Sequence, residues 1–203
     1  VMGSNNMDHC ARLCQSPSVV AMLASLGSGA ASNSFTDFEE AGCLMIVGSD
    51  PSSNHPVIAV RLRRAISRGA RLIVVDPKRV ELCDQADLWL RQRPGTDVTL
   101  FNAIAKVIVD EGLTNLPFVQ RRTEGFETWR QSLEPYTLEL AERVTAVPRE
   151  QIRQAARWYA PTSWRPPRTI HHSSPSRPRR STGFKPAAAW ESARTPSGVY
   201  SEK

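Results

Sequence analysis

The sequence lacks any long apolar run. No stretch approaches the ~18 residues that a membrane-crossing helix needs. No charged segment leading into an apolar one opens the chain, so neither a membrane span nor a secretory leader is expected. Cysteine is scarce, with Cys10, Cys14, Cys43 and Cys83 at irregular spacing. That excludes the dense disulfide framework of a small secreted domain and points to reduced thiols in the cytoplasm. No G-x-G-x-x-G turn follows the first strand pattern, which argues against an ordinary nicotinamide site. Acidic residues are short in one place only. Residues 161–203 hold two of the 20 acidic and eight of the 26 basic residues. The net charge of +6 therefore belongs to the tail, and the remaining 160 residues carry 18 charges of each sign. A basic balance of that origin says nothing about the globular part, and no nucleic-acid partner is expected.

The tail differs in other ways. From Pro161 onward seven prolines fall among 43 residues rich in Ser, Arg and Thr, without apolar periodicity. Such a segment buries too little apolar surface to offset its ordering entropy. Residues 161–203 are expected to be disordered, and the abrupt change suggests a frameshifted, mis-spliced or unrelated extension. Residues 1–160 form the domain. They read as mid-domain text from Val1, so a preceding region is expected.

Within the domain, two continuous apolar runs, Cys43 to Val47 and Arg71 to Val75, suit strands buried on both faces. Ala86 to Leu90 is a third candidate. Helical patterns fill the intervals: Val19 to Leu26 behind Ser16-Pro17-Ser18, a short acidic helix over Phe35 to Glu40, a helix opened by Asn54, His55 and Pro56, and a strong one from Val98 to Asp110 capped by Thr96 or Asp97. Shorter helices follow over Leu116 to Arg122, Phe126 to Leu133, Leu138 to Val144 and Glu150 to Tyr159. Strands alternating with helices in this way predict an α/β fold, a parallel sheet flanked by helices.

In an open α/β sheet, ligands sit beyond the carboxyl ends of the strands. Gly48 to Pro56 (GSDPSSNHP) lies at the first exit. Gly48 allows close backbone approach, Asp50 is acidic, Ser53 and Asn54 offer polar groups, and the helix that follows favours an anion at its N terminus. At the second exit Asp76 can accept from a ribose or a base N–H, and Lys78 can meet a phosphate. Gly95 and Asp97, in Pro94-Gly95-Thr96-Asp97, stand at the third. Each loop alone also fits an ordinary turn.

Cys14 lies just ahead of a helix N terminus, where the dipole favours a thiolate, a soft metal ligand. The other reading is a small buried hydrophobe. His9, Cys10 and Cys14 lack the second pair that a structural zinc site needs. The arginines at 61, 63, 64 and 68 read as the solvated outer face of a helix rather than a nucleic-acid surface. His171-His172 is too little for a metal site.

In order, NNMDHCARLCQSPS, GSGAASN, GSDPSSNHP, VVDPKR, RPGTDV, LFNAIAKVIVDEGL and FVQRRTEGFE, with EPYT and IRQAARWYA, resemble the molybdopterin oxidoreductase superfamily over residues 4 to 160. The closest likeness is to the large subunit of formate dehydrogenases. The resemblance implies a molybdenum or tungsten ion held by two pterin guanine dinucleotides, with Cys14 as the protein ligand to the metal. It implies that Gly48, Asp50, Ser53, Asn54, Asp76, Lys78, Gly95 and Asp97 line one guanine dinucleotide. It further implies oxidation of formate to carbon dioxide, with electrons leaving through an iron–sulfur cluster to electron-transfer subunits. Gln15 stands where formate dehydrogenases usually carry histidine, and glutamine takes up no proton near neutral pH. The iron–sulfur cysteines are expected to precede Val1, and the second pterin site and a substrate-binding arginine to follow Ala160. The chain is thus expected to be a fragment, incomplete for catalysis. Two other readings are a relative of the large iron–sulfur subunit of NADH dehydrogenase or of nitrate reductase, and a non-catalytic nucleotide-binding module.

Overall fold

The computed structural model describes residues 3–31 and 34–160; the expected disorder of residues 161–203 lies outside the described residues. The elements run α1 (Ala11–Cys14), α2 (Ser16–Leu26), α3 (Asp37–Glu40), β1 (Cys43–Val47), α4 (Pro51–Asn54), α5 (Pro56–Ser67) and β2 (Arg71–Val75). A 3-10 turn (Glu81–Gln85), β3 (Leu88–Leu90), α6 (Asp97–Asp110), α7 (Leu116–Arg122), α8 (Phe126–Ser132), α9 (Leu138–Thr145) and α10 (Arg149–Tyr159) follow. The three strands form one parallel sheet in the order β1-β2-β3.

The apolar runs become strands because both sheet faces find cover. Leu44, Leu72 and Val74 point to one side, against Leu62 and Ala65 of α5 and Leu82 of the 3-10 turn. Met45, Ile73, Val75, Leu88 and Leu90 point to the other, against α6, α9 and α10. In α6 the covering residues Leu100, Ala103, Ile104, Val107 and Ile108 recur at helical spacing. In α10 the stripe is Ile152, Ala155, Ala156 and Tyr159. Leu44, Leu62, Leu72 and Leu82 are fully buried, and each such side chain stabilises the fold by roughly 2 kcal/mol.

Three local expectations are corrected. The third strand begins at Leu88, not Ala86, because Asp87 pairs with β2 instead: its Oδ2 and its main-chain N–H engage the N–H and carbonyl of Leu72, each at 2.9 Å. The first exit loop contains the extra turn α4, so α5 starts at Pro56. Neither Ser16 nor Thr96 caps a helix through its side chain; Ser16 is itself helical, and the Thr96 hydroxyl donates to the Arg93 carbonyl at 2.6 Å.

The basic helix is α5. Arg61, Arg64 and Arg68 converge on Glu39 of α3 at 3.1, 3.3 and 3.4 Å, and Arg63 reaches Glu81 at 2.6 Å. Helices α1 and α2 pack on each other and bury no residue. Among the described residues no helix is long and apolar enough to cross a membrane.

Candidate functional site

Parallel pairing brings the strand ends together. Val47 is in register with Val75, and Val75 with Leu90. The ladder runs one step further, with Gly48 N–H donating to the Val75 carbonyl at 2.9 Å and Asp76 N–H to that of Leu90 at 3.2 Å. Gly48, Asp76 and the chain leaving Leu90 therefore sit side by side along one edge of the sheet.

At the first exit Gly48 turns the chain with φ of 53°. A Cβ there meets nothing within 4 Å, so the left-handed backbone rather than crowding calls for glycine. Asp50 lies just before α4. Its Oδ2 accepts from the Ser53 hydroxyl at 2.7 Å, while its Oδ1 is buried without a hydrogen-bond partner. Buried carboxylate oxygens are normally satisfied, so an atom left open at a strand exit marks a place for a donor. Ser53 and Asn54 are exposed beside it.

At the second exit Asp76 is 8 % exposed. Its Oδ1 accepts from the Lys78 N–H at 2.7 Å, which fixes the carboxylate, and the Lys78 side chain is exposed. The Asp76 carbonyl accepts from Trp89 Nε1 at 2.8 Å. At the third exit Pro94-Gly95 makes a turn closed by Thr96 N–H on the Arg93 carbonyl at 3.3 Å, with Gly95 at φ of 78°. Proline followed by a left-handed glycine is the signature of a type II turn. Arg93 N–H donates to the Thr145 carbonyl at 2.9 Å, which ties this loop to α9. Asp97 then opens α6 with an exposed side chain.

The structure thus gathers Gly48, Asp50, Asp76, Gly95 and Asp97 at the ends of the strands, with Ser53 and Asn54 on the adjoining turn α4 and Lys78 on the second exit loop. It does not bring Cys14 and Gln15 to them. Cys14 ends α1, Gln15 links α1 to α2, and both are exposed. Asp8 and Arg12 pair across the turn that precedes Cys14, and the Arg12 guanidinium holds the Asp8 carboxyl below the usual carboxylate range. His9 Nδ1 accepts from the Ala11 N–H at 3.1 Å, and among the described residues no three His, Cys, Asp or Glu side chains cluster as a metal site. Cys43 is buried, and burial pushes its thiol up to about 12, so it is no candidate thiolate.

Two residues at the edge went unnoticed in the sequence. Trp89 ties β3 to the second exit, and Gln92, 3 % exposed, donates from Nε2 to Asp97 Oδ1 at 2.9 Å. The only sequence signal for Gln92 was an amide placed between a strand run and a Pro-Gly turn. A cavity of about 250 Å³ also opens along the C-terminal half of α6, lined by Lys106, Asp110, Glu111 and Arg153 among others. Its charges pair with one another or with neighbours, Lys106 with Asp110 and Glu134 and Arg153 with Glu111.

Residues 1–166 match the profile of the family described as Molybdopterin oxidoreductase. The chain is 43% identical over 159 residues to the F420-dependent formate dehydrogenase 1 subunit alpha of Methanococcus maripaludis, covering 78% of this chain and 24% of that protein. It is 40% identical over 160 residues to formate dehydrogenase H of Escherichia coli, covering 79% and 22%. The structure of acetylene hydratase from Pelobacter acetylenicus superposes with a TM-score of 0.67 at 32% identity, covering 75% of this chain and 21% of that one. The chain spans between 16% and 24% of the length of the curated relatives it matches.

Proposed function

The chain belongs to the molybdopterin oxidoreductase family, and on that premise we propose that its strand-exit edge holds one guanine dinucleotide of a molybdenum or tungsten bis-pterin cofactor. The observation that carries this reading is the in-register edge of three parallel strands, where a buried oxygen of Asp50 awaits a donor. The donor set suits such a ligand. Asp76 and Asp97 accept from ribose hydroxyls or base N–H groups. Ser53 and Asn54 present a hydroxyl and an amide, Lys78 meets a phosphate, and Gly48 and Gly95 let the backbone turn beneath it. Cys14 would supply a thiolate to the metal. When bound, the cofactor supplies two-electron redox chemistry.

The parent reaction is formate oxidation to carbon dioxide, which releases one proton and two electrons. An iron–sulfur cluster and electron-transfer subunits of the parent enzyme would take up those electrons. Relatives that are 40% or more identical and carry formate dehydrogenase names support this substrate. Gln15, next to Cys14, can donate an amide N–H to a substrate oxygen but takes up no proton, so the proton leaves by another group. The second dinucleotide, the cluster ligands and most of the substrate pocket draw on polypeptide beyond residues 3–160. A reducing cytoplasm suits the chain, since all four thiols are free.

The test is elemental analysis for molybdenum and tungsten on the chain purified from a host that makes the pterin cofactor, with extraction of any bound pterin guanine dinucleotide. Near-stoichiometric metal and pterin support the reading. A folded chain that holds neither defeats it.

A further inference from the structure

Gln92 sits at the third strand exit with its amide almost wholly enclosed, 3 % exposed. Nε2 donates to Asp97 Oδ1 at 2.9 Å, while Oε1 is buried and has no hydrogen-bond partner. An apolar side chain of the same size in that place would leave no open acceptor, so fold stability does not explain a glutamine here. The arrangement is informative for Asp97. That residue opens the 14-residue helix α6, whose N terminus has no side-chain cap because the Thr96 hydroxyl turns back to Arg93. The Gln92 amide occupies Oδ1, and among the described residues no group donates to Oδ2. The exposed carboxylate is thus held by one oxygen with the other left open beside the in-register strand ends.

We propose that Gln92 is a positioning residue that sets the base preference of the strand-exit site, by fixing Asp97 so that its free oxygen accepts from adjacent N–H donors of a purine. This rests on the reading of the edge as a dinucleotide site. An edge with a ring N–H beside an amino group, as in guanine, suits a carboxylate. Adenine sets a single amino group beside a ring acceptor, which faces the carboxylate unfavourably. A free aspartate at the start of a helix samples several rotamers, and pinning one oxygen removes that freedom before the ligand arrives.

The experiment compares GDP and ADP binding to the whole chain by calorimetry, for the wild type, Gln92→Leu, Asp97→Asn and the double variant, with the melting temperature of each. The wild type is expected to prefer GDP. Gln92→Leu is expected to weaken GDP by about tenfold, leave ADP within about twofold, and not lower the melting temperature. The double variant is expected to lose no more GDP affinity than Asp97→Asn alone, since the two residues act as one unit. Parallel loss of both nucleotides, additive losses in the double variant, or a Gln92→Leu chain that melts early or fails to fold overturns the proposal and leaves Gln92 a structural residue. A folded wild type that binds no GDP overturns the reading of the edge itself, and the role of Gln92 falls with it.

Discussion

The indole Nε1 of Trp89 donates to the main-chain carbonyl of Asp76 over 2.8 Å. This bond crosses from β3 to the end of β2 and fixes the backbone at the centre of the candidate site. Trp89→Phe keeps most of the packing and leaves that carbonyl without its donor. It is expected to destabilise the chain by about 1–2 kcal/mol. GDP affinity is expected to fall several-fold, as seen by urea denaturation and calorimetry on the same preparation.

Asp76 separates charge from shape. Asp76→Asn keeps an oxygen for the Lys78 N–H, so stability is expected to move by less than about 1 kcal/mol. Loss of the charged acceptor is expected to weaken nucleotide binding about tenfold. Unchanged affinity would remove Asp76 from the site.

Thr145 holds the third exit from behind. It is fully buried, donates to the Ala141 carbonyl at 2.7 Å and accepts from the Val147 N–H at 3.1 Å, and its own carbonyl receives Arg93 N–H at 2.9 Å. Thr145→Val leaves the Val147 N–H without its acceptor. A loss of about 1–3 kcal/mol is expected in denaturant titration.

Cys43 makes stability depend on alkaline pH. Burial raises its thiol to about 12 from an ordinary 9.0, while Arg71 pulls it down and Asp87 pushes it up. With the folded value raised, the unfolded chain releases this proton first. The contribution is complete below pH 9.0 and is lost as pH climbs towards 12. Between pH 8 and 10.5 the wild type is expected to lose about 2 kcal/mol more than Cys43→Ala. Equal losses would show that the thiol is not held protonated.

Cys14 is expected to be separable from the nucleotide edge. It is exposed, on a helix that buries nothing. Iodoacetamide at pH 8 is expected to label Cys10 and Cys14 and to spare Cys43. Cys14→Ala is expected to abolish metal retention and to leave GDP affinity within about twofold.

Much of this arrangement was legible because it depends on local pattern. The runs Cys43–Val47 and Arg71–Val75 are strands with the expected bounds, and Leu116–Arg122 is the expected helix. Continuous apolar runs ending in glycine or Asp-Pro have few other solutions. The strand-exit loops were legible because parallel strands must share one carboxyl edge. What was missed depends on hydrogen bonds that apolar periodicity does not encode, whether local or between distant segments. The short helix α4 forms where Ser53 and Asn54 N–H groups return to the Asp50 carbonyl. The Asp87 carboxylate reaches across to Leu72, 15 residues back. The Gln92–Asp97 pair spans a turn whose shape only the folded backbone defines. Nor did the apolar character of α2 reveal its packing, since Val20 and Leu23 are exposed among the described residues.

The strand-exit edge is proposed to bind a guanine dinucleotide. The most direct test is acid release and quantification of GMP from the chain purified out of a cofactor-making host, for the wild type beside Asp76→Asn. Close to one GMP per wild-type chain and a marked loss in the variant are expected. A folded wild-type chain that releases no GMP, or a variant that retains it in full, contradicts the account.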